Sequence, residues 1–430
     1  MKFNKQYKDK LISLNKAVDM VESGQKICTA LGAAEPQGLL QTLDKRKDEF
    51  TNINIVSCLL MGDYDMFNPE YEGDFLNETW FYGATDRKNH PHGTATYIPN
   101  NLHGAGKEKL SNDHINIFWG TATPMDHNGY MSLSLSLVYE KMMVKNADLV
   151  ILEINENLPW TLGDTQVHIS EVDHVVENTT DVPTLPNIEP GEKEKIIGNY
   201  IADMIEDGST IQLGIGGIPN AIAHSLKNKK DLGVHTEMFT DGMVDLFEAG
   251  AITGRKKTLY PGKMVGAFAL GTQKLYDFID SNLGVEMHQG KFTNDPCVIG
   301  NNYKMVSVNT ALQVDLTGQV CSEAIGNKHY SGTGGQVDTH RGAQRSEKGK
   351  GIIALRSTAK GGEISTIVSE LPRGSKVTLG RNDIEYIVTE HGVAHLKGKS
   401  VRQRVEEMIN IAYPDFRDEL RARAKEIQLW

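Results

Sequence analysis

Two features of the chain have residue types and spacing suited to chemistry. One is Gly214-Ile215-Gly216-Gly217-Ile218-Pro219-Asn220, a glycine loop directly after the run Thr210–Leu213. The other is Glu237, one short element later, in Val234-His235-Thr236-Glu237-Met238-Phe239-Thr240-Asp241-Gly242. Glycine permits positive φ and close backbone approach, so successive N–H groups at a helix N-terminus can converge on one oxygen. A carboxylate beside such donors is a nucleophile facing an oxyanion site. The chemistry this suggests is attack of the carboxylate on an activated acyl group.

Rival readings of the same residues stand beside this one. A dinucleotide fold also places glycines after a strand and an acid roughly twenty residues on, where it holds a ribose. Here, however, the third position of that glycine pattern is Pro219, where a small residue is needed. The loop also reads as a plain strand-to-helix turn with Asn220 as N-cap of a helix over 221–227. Glu237 reads as a surface acid near the next helix, although its neighbours Val234, Met238 and Phe239 are apolar and a buried glutamate needs a reason.

Weaker candidates lie elsewhere. Gly392-Val393-Ala394-His395-Leu396-Lys397-Gly398-Lys399-Ser400 ends like a phosphate-binding loop but has one residue too many between its glycines. Its cations Lys397, Lys399, Arg402 and Arg404 also fit a solvated helix start. His90-Pro91-His92 has no companion ligand at metal spacing. No Gly-x-Ser-x-Gly occurs, which speaks against an ordinary serine acyl hydrolase.

The elements that must position these residues alternate β-branched runs with helix-patterned segments, the pattern of an α/β protein with largely parallel strands. Strands are predicted over 53–58, 115–119 and 149–154, then over 210–213, 234–238, 305–309, 351–355 and 384–388. The chain has 430 residues, suited to two domains of roughly 200 each. Three prolines fall within Asp181–Gly191, which predicts a boundary there, with an N-terminal domain over 1–190 and a C-terminal domain over 191–430.

The halves resemble each other. Val18-Asp19-Met20-Val21-Glu22-Ser23-Gly24-Gln25-Lys26-Ile27 lies over Ala202-Asp203-Met204-Ile205-Glu206-Asp207-Gly208-Ser209-Thr210-Ile211. In both, a helix is predicted to end at a glycine C-cap, with a strand and a glycine turn following. The first copy has Gly32-Ala33-Ala34-Glu35-Pro36 in place of the paired glycines, and Ile55-Val56-Ser57-Cys58 carries no acid matching Glu237. One reactive site per chain follows.

Composition bounds the partners. A net charge of −11 argues against nucleic acid, which asks for a basic face. Cys28, Cys58, Cys297 and Cys321 are scattered without CxxC spacing, as in a protein of a reducing cytoplasm. No apolar run approaches the length needed to span a bilayer. A soluble, cytoplasmic protein is expected.

With these motifs and Ser331-Gly332-Thr333-Gly334-Gly335-Gln336-Val337-Asp338 in hand, the chain resembles the family I coenzyme A transferases of the acetyl-CoA hydrolase/transferase group. The likeness looks closest to the 4-hydroxybutyrate and butyryl-CoA:acetate transferases. It extends through Thr123–Tyr130, Val150–Asn155, Arg381-Asn382-Asp383 and Val388–Ala394. It implies a fold of two similar open α/β domains with mainly parallel sheets and the active site between them. It places the catalytic glutamate on Glu237 and coenzyme A contacts on Gly214, Ile215, Gly216, Gly217, Ile218, Gly334, Gly335, Gln336 and Asn382.

The implied reaction is transfer of coenzyme A between a short-chain acyl-CoA and acetate through an acyl-glutamyl anhydride and a glutamyl-CoA thioester. Hydrolysis with the same glutamate is the alternative. No permanently bound cofactor or metal is expected, and coenzyme A is a substrate. The expected partners are acyl-CoA and short carboxylic acids, with a homodimer or homotetramer as the assembly. Met61, Trp80, Tyr82 and Phe239 are candidates for an acyl pocket or for ordinary core.

Overall fold

The computed structural model describes residues 2–429. The chain divides into two compact units. One runs to Leu185 and includes Val265–Thr293; the other takes Pro186–Met264 and the chain from Asn294 onward. Each has its own sheet.

In the first unit seven strands lie in the order Ala95–Tyr97, Phe75–Thr79, Ile53–Ser57, Lys26–Thr29, Ile117–Ala122, Leu149–Ile154 and His174–Glu177, all parallel. Ile117–Ala122 is buried at every position and Leu149–Ile154 at all but the first. A parallel sheet covered on both faces requires this, which is why continuous apolar runs mark these strands in the sequence.

The second sheet has the order Gly233–Val234, Thr210–Leu213, Met305–Thr310, Lys350–Ala354, Tyr386–Thr389 and Gly392–His395. Its first five strands are parallel and the last returns antiparallel. Its core gathers Val314, Ile353, Ile387, Leu396, Met408 and Ile409.

The predicted strands are present, most with ends moved by a few residues, and one prediction is corrected in kind. The run 234–238 is not one strand. The ladder ends where the His235 N–H donates to Ile211 O (3.2 Å), the chain bends at Glu237, and a separate short strand follows at Met238–Phe239. Phe75–Thr79 escapes a sequence reading because its buried centre is polar. Asn77 accepts from Ser57 Oγ (2.8 Å) and donates to Asp86 Oδ1 (2.5 Å).

The duplication appears in the hydrogen bonds. Gly24 and Gly208 both have positive φ, +89° and +75°. The Gln25 N–H donates to Glu22 O, and the Ser209 N–H to Glu206 O. These glycines are not helix C-caps as predicted. The helices Leu14–Val18 and Glu192–Met204 end earlier, and the left-handed residue serves the turn that redirects the chain into the strand. The linker is held at both ends: Pro183 O accepts from Tyr276 Oη (2.6 Å) in the first unit, and Ile188 O accepts from Asn220 Nδ2 (2.8 Å) in the second. No described helix is long and apolar enough to cross a membrane.

Candidate active site

Strand Thr210–Leu213 runs into Gly214, and the helix Gly217–Ser225 begins three residues later with Gly216 as N-cap at φ +112°. That φ requires glycine, and a Cβ there would meet nothing within 4 Å, so the space above the turn is open. The helix starts earlier than predicted because Pro219 falls in its first turn, where a missing N–H costs nothing. Asn220 is therefore not the N-cap; its side chain instead donates to Asn187 Oδ1 (2.7 Å) and Ile188 O. The first-turn amides have no intrahelical acceptor, as at any helix start.

Gly233–Val234 pairs in parallel with Thr210–Leu213, so the glycine turn and the Glu237 bend leave the same, carboxyl edge of the sheet. Ligands of open α/β sheets bind at such edges. Glu237 is half-buried. Asn294 Nδ2 donates to its Oε2 at 3.0 Å, and the Gly335 N–H also donates to the carboxylate. Gly335 is the N-cap of the helix Gln336–Arg345. A Cβ at Gly335 would fall 1.6 Å from Glu237 Oε2 and 2.3 Å from Asn294 Nδ2, so a side chain there and the observed carboxylate position exclude each other.

Burial pushes the Glu237 carboxyl up from 4.5 to about 7, with the Asp338 charge adding to the rise. The bonds from Asn294 and Gly335 pull the other way. The outcome is a carboxylate that is weakly solvated yet substantially ionised near neutral pH, held by donors that would also serve an oxyanion at its own carbonyl.

The structure thus gathers Glu237, Gly335 and the adjoining Gly334 and Gln336, and sets the Gly214–Ile218 turn on the same edge. Gln336 donates through Nε2 to Thr310 O (3.3 Å) at the end of a neighbouring strand, while its buried Oε1 has no partner among the described residues. Asn382 is placed apart. It is exposed in the turn before Tyr386–Thr389, at the amino end of that strand, and its neighbour Asp383 is gripped by Arg341 (2.9 and 3.1 Å).

Sequence reasoning missed Asn294. Its available signal was Asn294-Asp295-Pro296, a helix start in which Asp295 caps the Cys297 N–H (2.7 Å) and leaves the preceding asparagine fixed and fully buried.

The other candidates resolve into structure. Ser400 caps the helix Val401–Ile411 in a box with Gln403, Lys397 donates to Gln344, and Lys399 pairs with Glu407. His90 hydrogen-bonds Tyr82 Oη (2.8 Å), and no group of metal-binding residues occurs among the described residues. Trp80, Tyr82 and Phe239 are core side chains.

Family models for the acetyl-CoA hydrolase/transferase N-terminal and C-terminal domains match residues 1–186 and 271–424. A 4-hydroxybutyrate coenzyme A transferase of Clostridium kluyveri is 43% identical, covering 98% of each chain. A succinyl-CoA:cyclohexane-1-carboxylate CoA transferase of Geobacter metallireducens is 42% identical, covering 98% of this chain and 97% of its own. The crystal structure of RipA from Yersinia pestis superposes over 100% of both chains with a TM-score of 0.95 at 34% identity. The chain belongs to the acetyl-CoA hydrolase/transferase family, among its coenzyme A transferases, and is an enzyme of that class.

Proposed function

We propose that the chain moves coenzyme A between a short-chain acyl-CoA, butyryl-CoA, 4-hydroxybutyryl-CoA or similar, and acetate, with Glu237 as the nucleophile. The observation that supports this most directly is the Glu237 carboxylate, half-buried and carried on the Asn294 amide and the Gly335 N–H. Glu237 attacks the thioester carbonyl, the C–S bond breaks, and an acyl-glutamyl anhydride and the coenzyme A thiolate result. The thiolate then attacks the glutamyl carbonyl, releasing the acid as its carboxylate and leaving a glutamyl-CoA thioester.

Acetate attacks that thioester carbonyl to give an acetyl-glutamyl anhydride and free thiolate. The thiolate takes the acetyl group and restores the Glu237 carboxylate. No proton or electron is consumed, and the thioester energy is conserved. The oxyanion at the glutamyl carbonyl sits where Asn294 Nδ2 and the Gly335 N–H already point, each donor worth on the order of 10²-fold. The Gly214–Ile218 turn and Gly334–Gln336 serve the coenzyme A side. Water must be excluded, or the same intermediate hydrolyses.

The test is trapping and exchange. Hydroxylamine added after acyl-CoA should inactivate the enzyme by reacting at the peptide carrying Glu237, and labelled acetate should enter the acyl-CoA pool. Acyl-CoA hydrolysis without acetate exchange would reject transfer and leave the hydrolase. Absence of any adduct on that peptide would remove Glu237.

A further inference from the structure

The segment leading into Gly335 and the turn latched to it carry three cations without carboxylate partners among the described residues. A hairpin pairs Ala324–Ile325 with Lys328–His329, and its tip is latched to a second turn. The Gly326 N–H donates to Ser375 Oγ at 2.8 Å, and a Cβ on Gly374 would fall 2.1 Å from Asn327 Oδ1. Both glycines have positive φ, +57° and +91°, so the two turns fit only as they are. The latch holds the hairpin that carries exposed Lys328 against the turn that carries exposed Arg373 and Lys376, and the Lys328 ammonium lies 5.2 Å from the centre of the Tyr330 ring.

None of these three cations has a carboxylate partner among the described residues, whereas Lys26, Lys109, Lys141 and Arg341 all do. Two acids close to them in the chain are engaged elsewhere: Glu370 pairs with Arg423 (3.3 Å), and buried Glu323 accepts from Thr333 Oγ1 (3.1 Å). On a chain of net charge −11, three exposed cations without counter-ions on two latched turns, one of them over an aromatic face, mark a place for a polyanion carrying a ring.

We propose that Lys328, Arg373 and Lys376, with the Tyr330 ring, dock the nucleotide end of coenzyme A, its phosphates on the cations and its base beside the ring. This rests on the transferase reading above. Lys328 lies seven positions before the Gly335 that holds Glu237, at most roughly 25 Å of chain, a span over which a pantetheine arm can carry the thiol to the carboxylate.

The test is the calorimetric Kd of coenzyme A for the wild type and for the combined Lys328→Ala, Arg373→Ala, Lys376→Ala variant. The expected outcome is weakening by roughly 10- to 100-fold, with a salt dependence that the variant loses. Turnover of an acyl-pantetheine thioester, which lacks the nucleotide, should be equal in both proteins. The charge-conserving variant Lys328→Arg, Arg373→Lys, Lys376→Arg should bind within about threefold of the wild type. An unchanged Kd in the alanine variant, or equal loss of the pantetheine thioester activity, overturns the proposal. Binding requires no turnover, so it is independent of acetate exchange, whose failure in the wild type would remove the Glu237 chemistry instead.

Discussion

The two units build the same turn and finish it differently. Ile27 pairs with Ile55 and Ile117 in the first sheet, and Ile211 pairs with Val234 and Val306 in the second. Stepping along these registers sets Cys58 at the position of Glu237, and Glu153 at that of Ala354. In the first unit the Glu153 carboxylate enters the start of the helix Gln37–Lys45 and accepts from the Gly38 and Leu39 N–H groups (3.1 and 2.9 Å). Glu35 takes the N–H groups of Met61 and Gly62, and Glu140 that of Leu31.

All three carboxylates are buried, and burial raises the pKa of each. The second unit has alanine where Glu153 stands and leaves Glu237 half-open. The comparison teaches that a shared fold decides where amides gather, while internal carboxylates decide whether those amides remain available to a ligand.

That contrast can be broken most severely at Glu237. Glu237→Gln should lower kcat by about 10³-fold or more and abolish the covalent adduct, while Cys58→Ser at the matching position should leave turnover within about twofold. Gly335→Ala should follow, at roughly 10²- to 10³-fold, because its Cβ occupies the space of Oε2. Asn294→Ala should cost roughly 10- to 100-fold in kcat with little change in KM, since it removes one donor from the oxyanion and from the nucleophile. Steady-state kinetics separates these.

Changes in stability are the smaller effects. Glu153→Ala should destabilise by roughly 2–3 kcal/mol in denaturant unfolding, because it strips two amides and Asn178 Nδ2 (2.7 Å) of their acceptor. Glu237 should show the opposite sign. Its carboxyl is raised to about 7 when folded, so its contribution is fully present below 4.5 and lost as pH rises to about 7. Glu237→Gln should therefore gain on the order of 1 kcal/mol relative to the wild type at pH 8 and nothing at pH 4. The kcat/KM of the wild type should fall with acid below about pH 7, since only the carboxylate attacks.

Much of this was legible in the sequence for physical reasons. A strand buried on both faces is mostly apolar, so Leu149–Ile154 could be read to the residue despite Glu153, and Gly214 marked the end of Thr210–Leu213. Gly216 could be recognised because a left-handed N-cap excludes other side chains. Asn294 could not, since its local signal, the helix start at Asp295-Pro296, fixes its backbone but does not show that its side chain meets Glu237, 57 positions away. Nor could Glu153 be read as the plug of its own helix. A glutamate inside an apolar strand signals burial, but its partners, Gly38 and Leu39, lie more than a hundred residues earlier. The acyl group is equally remote from pattern: two relatives of nearly equal identity, 43% and 42%, bear the names of 4-hydroxybutyrate and cyclohexanecarboxylate.

The interruption at Glu237 has a mechanical consequence. A side chain anchored within a ladder can shift only by tearing inter-strand bonds, whereas one on a bend between ladders moves on torsions alone. In the proposed cycle the same carboxyl carbon would belong to a free anion, then an anhydride, then a thioester, each with its own shape. A pivot between two fixed rails lets a single residue take all three forms while the scaffold stays still.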